Sequence, residues 1–203
     1  MVTVILQHAN LEIFKNNRGK VLLSSELPEA RKTKEAHLYR PDILHQCLLM
    51  LLDSPLNKSK QLEILIFTTN AKIIKVYPHT RIPRVYSRFT GLMIQLLERQ
   101  RIYSSPDREI LLEVVKGPLS SHVPHDAPVF GLSQEGVHFR SYFKEAKLSP
   151  AELKRAVFYI NAIASGSDDF EGVVSLSLSE YALSAASCCS KICSALEEML
   201  GVF

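Results

Sequence analysis

Short apolar runs rich in β-branched residues alternate along this chain with stretches whose apolar residues recur at helical spacing, and that alternation most constrains the fold. Residues 2–6 hold Val2, Thr3, Val4, Ile5 and Leu6, a composition that predicts a buried first strand. Further strands are predicted at residues 62–67, 72–77, 110–115, 128–132, 157–164 and 173–178, those at 62–67 and 72–77 forming a hairpin or two neighbouring strands. Pro41 and Asp42 open a helix, with Leu44, Leu48, Leu51 and Leu52 as its apolar face. A second helix is predicted after Pro83, with Val85, Phe89, Leu92, Met93 and Leu96 as its buried stripe. Ser149 and Glu152 have capping-box spacing, and Leu183, Ala186, Ile192, Leu196 and Met199 mark a final amphipathic helix. Strands interleaved with helices argue an α/β chain with a largely parallel sheet. Residues 1–203 read as one domain, with residues 15–39, polar and without periodicity, as a variable arm or loop.

Such a chain commonly carries a nucleotide on a glycine-rich turn, but this one lacks the motif. It has eight glycines in 203 residues, against an ordinary share of ~7%. None forms a dinucleotide fingerprint, a phosphate loop or a nucleophile elbow. Of the four cysteines, Cys188, Cys189 and Cys193 crowd into six residues, so buried, reduced thiols are expected rather than a disulfide framework. His122 and His125 have a metal-like spacing, but the intervening Pro124 argues against a helical pair, and no metal is expected. No apolar stretch approaches the roughly 18 residues of a membrane span, and residues 1–10 do not read as a secretory signal.

Charge marks a candidate site. The net charge is +3, yet residues 70–101 alone carry +6 and residues 102–203 carry −5. Within the basic island, Arg81 precedes Pro83, and Arg84 and Arg88 stand four apart, which predicts a shared helix face. Guanidiniums near a helix N-terminus suit phosphate, and Tyr77 and Tyr86 offer stacking surface for bases. The plain alternative is a solvated helix rim. At the start of the earlier helix, Asp42 either favours the helix dipole or holds Arg40 toward a nucleotide; Asp53 reads as a turn-former as readily as a ligand.

The same residues carry a resemblance. Residues 40–58, with Arg40, Asp42 and Asp53, then Thr80, Arg81, Pro83 and Arg84, then residues 88–97, resemble the ribosome-biogenesis methyltransferases that N1-methylate pseudouridine in small-subunit rRNA. Leu183 to Ala186, Glu197, Glu198 and residues 201–203 resemble the eukaryotic members. The likeness spans most of residues 40–203 and is loose over 10–39.

The resemblance implies a SPOUT-class α/β knot with a C-terminal trefoil knot, a homodimer, and S-adenosylmethionine as donor. It implies rRNA contacts at Arg40, Arg81, Arg84 and Arg88, with Asp42 steadying Arg40 and standing as a candidate proton acceptor beside water. The donor would lie against Leu132, Asn161, Gly166, Leu178, Ser179, Glu180, Tyr181, Ala182 and Leu183. Small-subunit rRNA, ribosome assembly factors and a nucleolar location in the nucleus follow from the eukaryotic likeness; a membrane does not. Two departures stand out: Asn161 where the family has glycine, and Glu180, Tyr181, Ala182 where an Asn-Tyr-Pro pattern is common. Asn161 sustains a second reading, an RNA-binding assembly factor without catalysis. A third is a knot enzyme acting on another RNA such as tRNA.

Overall fold

The apolar amino-terminal run forms β1 (Val2–Ala9), and it lies inside the sheet with a parallel strand on each side. The computed structural model describes residues 1–17, 19–31, 36–146, 148–164, 170 and 172–203. After β1 come β2 (Ile13–Asn16), β3 (Gly19–Leu22), α1 (Pro28–Arg31), α2 (Pro41–Asp53) and α3 (Pro55–Lys58). Next are β4 (Leu62–Thr68), β5 (Ile73–Val76), α4 (Tyr86–Arg99), β6 (Arg101–Tyr103) and β7 (Ile110–Val115). The chain continues through β8 (Val129–His138), α5 (Phe139–Ala146), α6 (Pro150–Leu153), β9 (Val157–Asn161), β10 (Val174–Ser177) and α7 (Ala185–Leu200).

The main sheet runs β10-β8-β9-β1-β4-β5-β7-β6. The first five strands are mutually parallel; β5, β7 and β6 extend the sheet by antiparallel pairing. Successive side chains of β1 take opposite faces. Val2, Val4 and Leu6 enter the large core, to which α2, α4, α5 and α7 also contribute. Ile5 joins Leu65, Ile73 and Val157 in a smaller cluster on the other face, packed by Leu119, Val123 and Ala127. A strand buried on both faces needs a near-continuous apolar run, and Val2, Val4, Ile5 and Leu6 supply it, with Thr3 the one polar residue buried among them.

Helix α2 starts as its sequence demands, with proline in the first turn and Asp42 beside the positive end. Ser54 ends it and caps α3, its hydroxyl accepting from the Asn57 amide at 3.1 Å. Leu44, Cys47, Leu48 and Leu51 are buried where α2 packs on α7, which offers Cys189, Ile192, Cys193 and Leu196. Ser184 caps α7, and Gly201 closes it in the left-handed conformation (φ 66°), where a Cβ is penalised. The capping box at Ser149 and Glu152 is formed, on a helix of a single turn.

Several expectations change. Residues 15–39 are not a plain loop: β2 and β3 form a hairpin against α4, and Lys20 pairs with Glu98. Helix α4 begins at Tyr86, so Arg84 lies ahead of it and shares no helix face with Arg88. Val85 is exposed rather than part of the buried stripe. The predicted strand at 157–164 stops at Asn161. The strand at 128–132 runs on to His138 and enters α5, whose Phe139, Tyr142 and Phe143 follow helical spacing that the sequence reading passed over. Leu183 precedes the last helix instead of starting it.

Candidate functional site

The parallel strands deliver their carboxyl ends to one side of the sheet, where open α/β sheets bind ligands. A cleft of about 360 Å³ opens there between two walls. Leu132 of β8, Ile160 and Asn161 at the end of β9, Ile163 and Ala164 beyond it, and the segment 183–188 entering α7 make one wall. Arg40, Ile43 and Gln46 of α2 and its cap make the other. A second cavity of about 90 Å³ adjoins it, sharing Leu132, Leu183 and Cys188 and adding Leu178, Ser179, Tyr181 and Ala182.

Local hydrogen bonds fix these walls. Ser177 Oγ donates to the Ser179 carbonyl at 2.7 Å, and the Tyr181 amide donates to Ser179 Oγ at 3.1 Å. Gln134 Nε2 donates to the Glu180 carbonyl at 3.3 Å. Gln7 Nε2 donates to Asn161 Oδ1 at 2.7 Å, tying that carboxamide to the end of β1. Gly131, beside Leu132, has the Phe170 ring directly over it, closer than any Cβ would permit.

Arg40 is the cation that lines the cleft among the described residues. Its Nε donates to both oxygens of Asp42, at 2.9 and 3.2 Å, and Nη2 donates to Oδ2 at 2.7 Å. Burial pushes the Asp42 carboxyl upward, but the hydrogen bonds and charge of Arg40 outweigh it and hold the group below the usual carboxylate range. The pairing with Asp42 in turn raises Arg40. Close by, the Tyr86 hydroxyl is buried with no hydrogen-bond partner among the described residues. Burial first, then the Asp42 charge, pushes its phenol up to about 12.

Of the residues singled out in the sequence, Leu132, Asn161 and Leu183 meet in the large cleft; Leu178, Ser179, Tyr181 and Ala182 line the smaller cavity. Glu180 lines neither, and Gly166 lies outside the described residues. The arginines separate into two places. Arg40 is in the cleft, whereas Arg81 and Arg84 line another cavity of about 310 Å³ with Lys58, Thr80 and Asp53. Arg88 is exposed on the first turn of α4. Asp53 is more than a turn-former: it accepts from Arg84 Nη2 at 2.7 Å, although it lies outside the basic island. His122 turns to the Lys116 carbonyl at 2.9 Å, away from a shared site with exposed His125. Cys47, Cys189 and Cys193 are buried; burial raises Cys189 strongly and Cys193 to about 12, so the Cys189 and Cys193 thiols stay protonated. Sequence reasoning missed Gln46 and Ile43, because a polar or half-buried position on an amphipathic helix reads as solvent face.

The model of the EMG1/NEP1 methyltransferases matches residues 4–197. The chain belongs to this family. Among curated EMG1/NEP1 relatives, ribosomal RNA small subunit methyltransferase NEP1 of Candida albicans is 36% identical over 212 residues, covering 98% of this chain and 79% of the relative. The Homo sapiens protein of the same name is 38% identical over 206 residues, covering 98% and 82%. Archaeoglobus fulgidus Nep1, solved bound to S-adenosylhomocysteine, superposes with a TM-score of 0.78 at 25% identity, over 98% of this chain and 99% of that one. The α/β architecture is thus the SPOUT-type fold of the EMG1/NEP1 family.

Proposed function

We propose that this protein transfers a methyl group from S-adenosylmethionine to N1 of a pseudouridine in small-subunit rRNA, at a single-stranded or looped site, during assembly of the small ribosomal subunit. The observation that carries this reading is one cleft with an aliphatic, loop-built wall facing a wall that bears Arg40.

The residues present fit the donor. The cleft's about 360 Å³ lies in the roughly 300–1,000 Å³ range of small-molecule pockets. Leu132, Ile163, Ala164 and Leu183 offer apolar surface, and loop and helix-start backbone offers hydrogen-bonding groups. When bound, the donor supplies a methyl group on a cationic sulfur. The chain itself positions the acceptor: Arg40, held by Asp42, grips a phosphate near the target, while Arg81, Arg84 and Arg88 take the flanking strand. Asp42 acts as a positioning residue, because a carboxylate held below its usual range and bound to Arg40 is a weak base; the N1 proton leaves to water. Rate then comes mainly from positioning, which can supply roughly 7 kcal/mol at an effective molarity of about 10⁵ M.

Asn161 favours the catalytic reading over a purely RNA-binding one. Its oxygen is bonded to Gln7, and the cleft stays open in front of it. A homodimer is part of the proposal. Met50 on α2, Met199 on α7 and Phe203 beyond it are exposed apolar groups, whereas Phe89, Met93 and Leu96 of α4 are spent in the subunit's own core. Nucleolar location and ribosome assembly factors as partners complete the reading. The test incubates the protein with labelled S-adenosylmethionine and a pseudouridine oligonucleotide or its uridine twin. Label on the pseudouridine strand alone is expected; equal labelling of both, or of neither despite bound donor and RNA, overturns the assignment. A folded, active monomer in sedimentation at micromolar concentration overturns the dimer.

A further inference from the structure

We propose that Gln46 reads the imide edge of the target base, making it a specificity-determining residue of the cleft. The inference rests on the methyl-transfer reading above and extends it to how the acceptor ring is held.

The argument starts from the cleft's two walls. If the carboxyl-end loops hold the donor, the acceptor base must lie against α2, which contributes Arg40, Ile43 and Gln46. A helix rises 1.5 Å per residue, so Gln46 stands about 9 Å along the axis from Arg40. That is comparable to the reach from a nucleotide's phosphate to the far edge of its pyrimidine. Ile43 lies between them, an aliphatic surface where the ring would rest.

The state of the side chain supports the same role. Among the described residues, two carboxamides line the cleft. Asn161 is bonded to Gln7, whereas the Gln46 side chain is exposed and its carboxamide makes no hydrogen bond to the described residues. A free carboxamide presents one donor and one acceptor in a plane. Pseudouridine presents the complement at N3–H and O4, on the side of the ring away from N1. Gln46 Oε1 accepts from N3–H and Nε2 donates to O4, which turns N1 toward the opposite wall. Uridine carries the same imide edge but has C5 where pseudouridine has N1. Gln46 therefore sets the ring's register, and the choice between the two nucleosides falls to the atom that register presents.

The test uses the full protein and its Gln46→Leu variant. Methyl transfer is followed by mass spectrometry under single turnover, on oligonucleotides carrying pseudouridine, 3-methylpseudouridine or uridine, and S-adenosylhomocysteine binding is measured by calorimetry. The native protein should methylate pseudouridine ~5- to 150-fold faster than the 3-methyl analogue, the range expected of a bidentate base contact. The variant should bind S-adenosylhomocysteine normally, lose a similar factor on pseudouridine, treat the two pseudouridines alike, and still refuse uridine. A native rate on pseudouridine overturns the inference, as does a fall that leaves the native preference against the 3-methyl analogue intact. Loss of S-adenosylhomocysteine affinity in the variant also overturns it, since Gln46 would then belong to the donor wall or to the fold. Failure of the unaltered protein to methylate pseudouridine is a separate result: it removes the methyl-transfer reading, and this inference with it.

Discussion

Gly131→Ala isolates the contact that braces the carboxyl-end loops. A Cβ at Gly131 would fall 2.1 Å from Phe170 Cδ2 and 2.2 Å from its Cγ, distances no ring tolerates. The backbone there is outside the left-handed region, so alanine itself is unstrained and should gain about 0.4–1 kcal/mol through the unfolded chain. Phe170 is only 7% exposed, and evicting it forfeits roughly 1.5–3 kcal/mol of burial. Net of the alanine gain, the single variant should lose about 1–2 kcal/mol. Phe170→Ala alone should cost roughly 3 kcal/mol or somewhat more. In the double variant the new methyl enters space the ring has vacated, so the total should not exceed that of Phe170→Ala. The coupling is then about 1–2 kcal/mol, well outside the 0.3–0.5 kcal/mol scatter of independent sites. Urea unfolding of the four proteins measures it. Because Leu132 lines both cavities, Gly131→Ala should also weaken S-adenosylhomocysteine binding in calorimetry. Additive costs in the double variant would refute the clash.

Tyr86→Phe should leave stability unchanged or raise it by up to ~1 kcal/mol, since the buried hydroxyl has no partner to lose. The phenol's rise to about 12 also means that the fold loses stability as pH climbs from about 10 through that value, and the phenylalanine variant should lack this alkaline loss in scanning fluorimetry. Asp42 works in the opposite direction. Its depressed carboxyl contributes stability that is complete above about pH 4 and is lost as pH falls through the lower folded value, so Asp42→Asn should flatten the acid limb in circular dichroism and weaken RNA binding. Arg84→Glu should cut the salt dependence of RNA binding by about 0.7 slope units in filter assays. Its thermal midpoint should move by no more than about 4 °C, because the Asp53 pair is exposed.

What was legible in the sequence follows from how local each cause is. β1, β4 and α2 announce themselves because burial on both faces, or against a second helix, requires uninterrupted or evenly spaced apolar residues. The sequence sets helix α4 two residues early because Pro83 suits a first turn, but Arg84 pairs with Asp53, 31 positions away, and nothing in a linear pattern records that partner. The β2–β3 hairpin escaped notice because its strands are polar on one side and four residues long, although Gly19 at φ 126° marks its turn. The gathering of Leu132, Asn161 and Leu183 has no local signature at all. It arises from the parallel order β10-β8-β9-β1, which brings together strand ends far apart in the chain.

Helix α2 shows why so much function can hide in an ordinary amphipathic pattern. Leu44, Cys47, Leu48 and Leu51 must fit against α7, where close packing penalises a change of even one methylene. The positions between them are not spare: Arg40, Ile43 and Gln46 line the cleft, while Leu49, Leu52 and Asp53 line the cavity of Arg81 and Arg84. Asp42 and Asp53 sit at its two ends, each holding one arginine. A rigid helix fixed by its apolar face therefore sets the distance between the two guanidiniums and the free carboxamide. Pre-organisation of that kind is what positioning catalysis requires, because side chains already held in place lose little freedom when RNA arrives. The hydrophobic face that reads as structure alone is what gives the polar face its aim.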